Sequence, residues 1–124
     1  MNDDLRKRLG RTGEQLAAEH LTRLGYAIVE RNYRSRWGEL DIVARDGPAL
    51  VFCEVKTRRA GGRAGGPLDA VGRGKQMQVR KMAAHWLCDH PDRPYANHLR
   101  FDVIAVTVDG RGCLSNLEHL EGAF

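Results

Sequence analysis

The chain has 124 residues, of which 42% are hydrophobic and 29% are charged, and its formal net charge is +4. This length suits a single domain with one modest core, and the composition excludes a disordered chain. The apolar runs are far too short to span a bilayer, and no apolar segment near the first residue predicts a secretory signal. We therefore expect a cytoplasmic protein, built as one domain over residues 1–124, that makes no membrane contact.

The first predicted element is a helix over about residues 13–24. Thr12 and Gln15 have the spacing of a capping box, with Thr12 as the N-cap. Apolar residues then recur at helical spacing, and Gly25 supplies a C-terminal stop. Residues 1–11 precede this helix and are left as a candidate disordered tail.

A short strand over residues 26–29 follows, and then a polar, basic segment over residues 31–36. Residues 38–57, GELDIVARDGPALVFCEVKT, predict two strands around a tight turn. If residues 46–49 form a four-residue loop, the numbers of paired residues add up to 95. This register places Asp41 opposite Glu54 and Glu39 opposite Lys56, with all four side chains on one face.

The opposite face of this hairpin is expected to be purely apolar, with Leu40, Ile42 and Ala44 facing their partners. Asp41 and Glu54 repel each other at this distance unless something compensates for their charges. A divalent cation is the simplest compensation, and carboxylate oxygens suit Mg²⁺. The alternative is a solvated amphipathic hairpin, in which Glu39 and Lys56 form an ordinary ion pair.

The segment RRAGGRAGGP, residues 58–67, predicts a flexible basic loop. A second helix ends near Cys88, with its apolar stripe at helical spacing between Val79 and Leu87. Residues 99–108 predict another strand, in which Asp102 is expected to pair with Arg100 or Arg31 rather than to act in catalysis. The last segment, LSNLEHLEGAF, fits a short strand or a helical turn equally well. This order of elements predicts an α/β fold around a mixed sheet.

Basic residues are concentrated in residues 56–81, which carry eight of them against a single acid, Asp69. A block of this kind can be a solvated face. It can also be the electrostatic footprint of a polyanion, since neutralised phosphates release counterions. Charge alone does not decide between these interpretations.

The order of Asp41 and then Glu54, Val55 and Lys56 resembles the D…(D/E)-x-K signature of the PD-(D/E)xK nuclease superfamily, which includes restriction endonucleases and Holliday-junction resolvases. The match is closer to the YraN-like family of small uncharacterised bacterial proteins and extends from Gly13 to about Val106. The segments that carry it are Gly13-Glu14, Gly25-Tyr26, Arg31-Asn32-Tyr33-Arg34, Gly38-Glu39-Leu40-Asp41, Phe52-Cys53-Glu54-Val55-Lys56-Thr57-Arg58, Lys75-Gln76 and Arg100-Phe101-Asp102.

This resemblance implies a restriction endonuclease-like core, a mixed sheet flanked by helices. It also implies Asp41 and Glu54 as ligands of Mg²⁺ or Mn²⁺ and Lys56 as the catalytic lysine. Glu14 occupies the position of a first-helix glutamate that joins the site in related nucleases, although an acid there also favours the helix dipole. The proline that nominally precedes the aspartate is absent, and Leu40 stands in its place. Glu39 could be an outer ligand or could position the lysine.

The expected function is therefore metal-dependent hydrolysis of phosphodiester bonds in DNA, with branched or structured DNA as the candidate substrate. Arg58, Arg59 and Arg63 would follow the DNA backbone, and Lys75 and Gln76 could reach a phosphate. Junction resolvases act as dimers, so a homodimer is a further expectation. Two alternatives remain open: a nucleic-acid-binding module that does not cleave, and a scaffold whose basic loop binds acidic proteins.

Overall fold

The computed structural model describes residues 3–61, 65–67, 69 and 71–124. The regular elements among these residues are α1 (Asp3–Arg23), β1 (Ala27–Ser35), β2 (Gly38–Asp46), β3 (Ala49–Arg59), α2 (Arg73–Asp89), β4 (His98–Val108) and β5 (Leu114–Leu120). In this part of the chain, no helix is long and apolar enough to cross a membrane.

The five strands form one mixed sheet in the order β1-β2-β3-β4-β5. Neighbouring strands are antiparallel except for β3 and β4, which are parallel and are connected through α2. A parallel pair needs a crossover connection of this kind, whereas antiparallel neighbours can be joined by turns. The fold is thus α/β, a mixed sheet flanked by two helices, as predicted and compatible with a restriction endonuclease-like core.

Each face of the sheet is covered by one helix. The α1 cluster contains Ala17 and Leu21 together with Ile42, Cys53 and Ile104. The α2 cluster is the other apolar layer, and its buried members are Leu40, Val43, Leu50, Phe52, Val79, Met82, Ala83, Trp86 and Phe101. The predicted apolar stripe of the second helix therefore does face the core.

Helix α1 begins at Asp3, ten residues before the predicted start, so the interpretation of Thr12 as an N-cap was wrong. Residues 3–11, which the sequence left as a candidate tail, form its first half. Leu9 packs against the α1 cluster, so the apolar spacing of this helix continues towards its N-terminus. Asp3 and Asp4 lie in the first turn, where negative charge favours the helix dipole.

The polar segment after residue 29 belongs to β1, which extends to Ser35 as an edge strand, where polar residues remain solvated. The last segment is a strand, β5, rather than a helical turn. Arg58 and Arg59 belong to β3 and not to a loop. Arg63 lies outside the described residues.

Helix α1 approaches β3 most closely at Gly13. A Cβ atom placed on Gly13 would lie 1.8 Å from Oγ1 and 2.8 Å from Cβ of Thr57, which no side chain tolerates. The absence of a side chain at Gly13 thus lets the helix lie directly on the strand. This contact fixes the position of Glu14, the next residue, above the sheet.

We expect Gly13→Ala to lower the free energy of unfolding by about 1–3 kcal/mol, because the added methyl group overpacks the contact with Thr57. Gly10→Ala is the matched control, since nothing lies within 4 Å of its added Cβ atom. In the same helix, this control should be neutral or stabilising by about 0.5–1 kcal/mol. Urea unfolding of both variants tests this, and equal effects would contradict the proposed close approach.

Candidate functional site

The β2–β3 hairpin has the predicted register wherever its two strands are hydrogen-bonded to each other. Cα partners run from Ile42 and Cys53 to Arg45 and Leu50, so their numbers add up to 95 as expected. The ladder continues by one further pair, Asp46 and Ala49, so the turn itself contains only residues 47–48. Gly47 has a φ of 54°, a conformation that glycine adopts at little cost.

The pairing stops before it reaches the predicted charged pairs. Beyond Ile42 and Cys53, β2 pairs only with β1, and β3 pairs only with β4. The backbone amide of Val55 donates to Oδ2 of Asp41 at 2.8 Å, so a side chain enters the gap between the strands. The predictions that Asp41 faces Glu54 and that Glu39 faces Lys56 across a ladder were therefore wrong.

Strict alternation of side chains also fails in β2. Leu40 packs in the α2 cluster with Val43, whereas Ile42 packs in the α1 cluster. Residues three apart share a face only if the regular pleat is interrupted between them. The expectation of one purely apolar face containing Leu40 was thus wrong, and the divergence of the strands is the physical reason.

Three carboxylates converge where the strands separate. One oxygen atom from each of Glu14, Glu39 and Asp41 lies within 4.8 Å of the other two, and these residues come from α1 and β2. A cavity of about 710 Å³ contains all three side chains in its lining, together with Glu54 and Lys56. The gap between β2 and β3 therefore opens into an acidic cavity.

The electrostatics of the cavity reflect crowded like charges. Burial, together with the adjacent Glu54, raises the pKa of Asp41 to about 8, although the Val55 amide opposes the shift. Burial also raises the pKa of Glu14, and Glu39 adds to this effect. Both shifts favour the protonated, uncharged form of these carboxyl groups.

Glu54 has a cationic partner of its own. Nζ of Lys75 lies 3.4 Å from Oε1 of Glu54, so α2 contributes a positive charge to the cavity. Burial raises the pKa of Glu54, and Lys75 and a hydrogen bond with Asp41 oppose this increase. Lys56 is exposed at the cavity, and no ion pair neutralises it within the described residues.

Two of the predicted nucleic-acid contacts are engaged within the protein. The guanidinium of Arg58 donates to the carbonyl oxygens of Gly65 and Gly66, at 2.9 and 3.2 Å. Nε2 of Gln76 donates to the carbonyl oxygen of Val71 at 3.1 Å. Arg59 is exposed and lies outside the acidic cavity. Of the predicted nucleic-acid contacts that lie in the described residues, only Lys75 lines this cavity.

The cavity also has basic residues that the sequence analysis missed. Arg6 lines it, and Lys7 and Arg11 line an adjoining cavity of about 680 Å³ that shares Glu14 and Glu39. They were missed because the start of α1 was placed too late. Arg6, Lys7 and Arg11 precede Glu14 by eight, seven and three residues, so they lie on the same face of the helix as Glu14. Had the helix been predicted to start at Asp3, this spacing would have identified them.

Asn32 is a further residue of the site that the sequence analysis did not single out. With its amide nitrogen turned towards Glu14, Asn32 donates to Oε1 at 2.7 Å. The φ of Asn32 is 57°, in the left-handed region where asparagine is tolerated better than most residues. This strand conformation directs the amide towards the carboxylate.

Outside this cavity, Asp102 pairs with Arg100, one of the two arginines that the sequence analysis named as its partner. Nε of Arg100 donates to its Oδ1 at 2.9 Å, and Asp102 is fully buried. Oδ2 of Asp102 also accepts a bond from Nε2 of His119 at 2.8 Å. This residue connects β4 and β5, which is a structural role.

Together, the fold and this cavity define a class: small α/β proteins in which a mixed sheet opens between two strands into an acidic cavity bordered by basic residues. The model of uncharacterised protein family UPF0102 matches residues 13–106. The chain belongs to this family, the YraN-like family that its motifs resemble.

The similarity to relatives covers almost the whole chain. A UPF0102 protein from Frankia alni is 50% identical over 116 residues, which cover 94% of this chain and 93% of the relative. One from Streptomyces griseus is 50% identical over 114 residues, covering 92% and 93%. One from Syntrophus aciditrophicus is 45% identical over 117 residues, which cover 94% of this chain and 88% of the relative.

Proposed function

We propose that this protein is a cytoplasmic, metal-dependent endonuclease of PD-(D/E)xK type that hydrolyses phosphodiester bonds in DNA, with branched or structured DNA as the substrate. The observation that carries the proposal is the convergence of the Glu14, Glu39 and Asp41 carboxylates in one cavity with Lys56, which has no ion-pair partner among the described residues. The raised pKa of Asp41 supports it. Crowded carboxylates destabilise a metal-free site, and this cost is offset when a cation binds.

The donor set fits Mg²⁺ or Mn²⁺. These ions prefer oxygen ligands, and the oxygens of Glu14, Glu39 and Asp41 are close enough to share one ion. Glu54, which the resemblance implies as a ligand beside Asp41, would join these three carboxylates once Lys75 releases it. When bound, the metal supplies Lewis-acid polarisation of a phosphoryl oxygen and a water of lowered pKa.

The side chains of the chain itself would bind and orient the substrate. The ammonium group of Lys56, which has no ion-pair partner in the described part of the chain, would donate to a phosphate oxygen and stabilise the charge that develops on it. Arg6, Lys7 and Arg11 border the same acidic region and would hold the flanking phosphates, which gives affinity without sequence preference. The homodimer implied by the resolvase resemblance belongs to the same proposal.

The first test is cleavage of labelled four-way junction, flap, single-stranded and duplex DNA in Mg²⁺ or Mn²⁺. We expect cutting of at least one structured substrate, and Lys56→Ala should slow it by about 10²–10³-fold because it removes charge stabilisation from the transition state. Arg23→Ala is the control, since this exposed cation lies at the C-terminal end of α1 and does not line the acidic cavity. Equal rates for parent and Lys56→Ala would refute the assigned role of the lysine.

A second candidate is a binding module that does not cleave, and the Glu54–Lys75 ion pair favours it. Because Lys75 already neutralises the charge of Glu54, the cavity attracts a metal cation less strongly. This function predicts DNA binding that is indifferent to EDTA. Calorimetric titration of Mn²⁺ distinguishes the two, because the nuclease requires a site that Asp41→Asn weakens and the binding module does not.

A further inference from the structure

Trp37 is an exposed aromatic side chain that the proposed chemistry does not use. It lies with Arg36 in the two-residue turn between β1 and β2, since Ser35 and Gly38 are paired. Its side chain is 42% exposed, whereas the other tryptophan, Trp86, is completely buried. An exposed indole of this kind contributes little to the core and leaves part of its aromatic surface accessible to a ligand.

The turn is held firmly against α2. The backbone nitrogen of Trp37 donates to Oγ of Ser35 at 3.0 Å, and Nε2 of Gln78 donates to its carbonyl oxygen at 3.1 Å. Gly38 has a φ of 143°, and a Cβ atom there would lie 2.5 Å from the Gln78 side chain. The backbone therefore presents the indole from a fixed position.

Basic side chains surround the indole. Nζ of Lys81 lies 4.3 Å and Cζ of Arg36 lies 4.5 Å from the ring centroid. The His85 ring is stacked on it with a centroid distance of 6.1 Å and an interplanar angle of 12°. No ion pair neutralises Arg36 or Lys81 within the described ranges. We call these four residues (Arg36, Trp37, Lys81 and His85) the Trp37 platform.

The chemistry of the platform fits a nucleotide better than an uncharged ligand. A nucleobase stacks on an indole, and its flanking phosphates accept hydrogen bonds from lysine and arginine. Arg36 and Lys81 are exposed and have long, flexible side chains, so each can move from the ring to a phosphate. The faces of duplex bases are covered by their neighbours, and an unpaired base is therefore required.

The platform is also close to the acidic cavity. Trp37 precedes Glu39 by two residues, and two residues of extended chain span about 7 Å. A strand whose phosphate lies in the cavity can therefore place a neighbouring base on the indole.

We propose that the Trp37 platform binds an unpaired nucleotide of single-stranded nucleic acid next to the acidic cavity. The base stacks on Trp37, and Arg36 and Lys81 bind the adjoining phosphates. This inference rests on the proposed function in that it assigns the single-stranded segment of the substrate. It does not require that the protein cleaves.

The test is binding of a 12-nucleotide oligothymidylate in EDTA, measured by quenching of tryptophan fluorescence and by anisotropy of a labelled oligonucleotide. Because Trp86 is buried, quenching reports Trp37. Trp37→Leu should weaken binding about tenfold, whereas Trp37→Phe, which keeps a ring, should weaken it less. The slope of log affinity against log salt concentration is negative, and Lys81→Ala should make it shallower by about 1 because one phosphate contact is lost.

Tyr95→Leu is the matched control, since Tyr95 is 82% exposed and lies in the loop between α2 and β4. Unchanged affinity of Trp37→Leu would overturn the platform, as would equal quenching by inorganic polyphosphate, which has no base. Tighter binding of duplex DNA or of polyglutamate would also overturn it. Oligothymidylate binding that depends on Trp37 supports the platform even if no DNA is cut. If the protein cleaves DNA but binds oligothymidylate equally well without Trp37, the platform is refuted and the proposed nuclease function is not.

Discussion

Replacing Asp102 by asparagine is expected to lower the free energy of unfolding by about 3–5 kcal/mol at pH 7. Asp102 is completely buried, and its two oxygens accept four hydrogen bonds. The donors are Arg100, which provides two, His119 and the amide of Gly122. Asparagine would direct an NH₂ group at these donors and leave the Arg100 charge without its buried partner.

The pH dependence of this effect follows from the pKa of Asp102. Burial raises this pKa, but the bonds from His119, Arg100 and Gly122 outweigh burial and hold it below its ordinary value. A depressed carboxyl pKa contributes stability above the unfolded pKa of about 3.9, and this stability is lost as the pH falls through the folded pKa. The difference between parent and variant should therefore shrink below about pH 4.

Urea unfolding at pH 7 and at pH 3–4 measures both effects. Asp46→Asn is the matched control, because Asp46 also accepts a bond from Arg100, at 2.8 Å, but its side chain is 39% exposed. Exposed ion pairs contribute about 0–1 kcal/mol, so this variant should remain close to the parent. Equal losses in the two variants would show that burial of Asp102 does not set the energy of the network.

The second large effect has the opposite sign: Asp41→Asn is expected to stabilise the metal-free protein by about 2–4 kcal/mol at pH 8.5. Burial and Glu54 raise the pKa of Asp41 to about 8, so ionisation above that pH puts an unfavourable charge in the cavity. Asparagine keeps an oxygen that can accept the bond from Val55 and carries no charge.

The sign of the pH dependence again follows from the shift. A carboxyl whose folded pKa is raised contributes stability that is fully present below the unfolded pKa of about 3.9, and this stability is lost as the pH rises through about 8. The advantage of the variant should therefore be absent near pH 4 and should grow towards pH 8.5.

Thermal unfolding in EDTA, across this pH range, measures the advantage, with exposed Asp92→Asn as the control. Added Mg²⁺ or Mn²⁺ should raise the melting temperature of the parent and leave that of Asp41→Asn nearly unchanged. A variant that is less stable than the parent at pH 8.5 would contradict the electrostatic explanation. Equal stabilisation of both by metal would contradict a site at Asp41.

Local patterns in the sequence were sufficient for the hairpin. Alternating apolar residues and the turn residues Gly47 and Pro48 predicted its register, which the structure confirms from Ile42 to Arg45. The stripe of α2 and the strand β4 were predicted for the same reason, and Arg100 was one of the two arginines expected to pair with Asp102. Each depends on residues that are near each other in the chain.

The separation of β2 from β3 and the start of α1 could not be predicted from short stretches of the sequence. The sequence placed Asp41 and Glu54 in a continuous ladder, but β2 and β3 separate at that point, while each remains paired with its outer neighbour. The start of α1 was missed because the capping residues at Thr12 were given more weight than the apolar spacing before them. Propensity signals of this kind are readily overridden by packing of a helix on a sheet.

The sequence by itself determined the α/β class, the family and the stretch of chain that carries Asp41, Glu54 and Lys56, because periodicity and short motifs are properties of neighbouring residues. Only the tertiary structure decided which charges meet. Glu14 reaches Asp41 because α1 lies on β3 at Gly13, and Lys75 reaches Glu54 because α2 crosses between parallel strands. Contacts between residues far apart in the chain depend on packing, which no local pattern specifies.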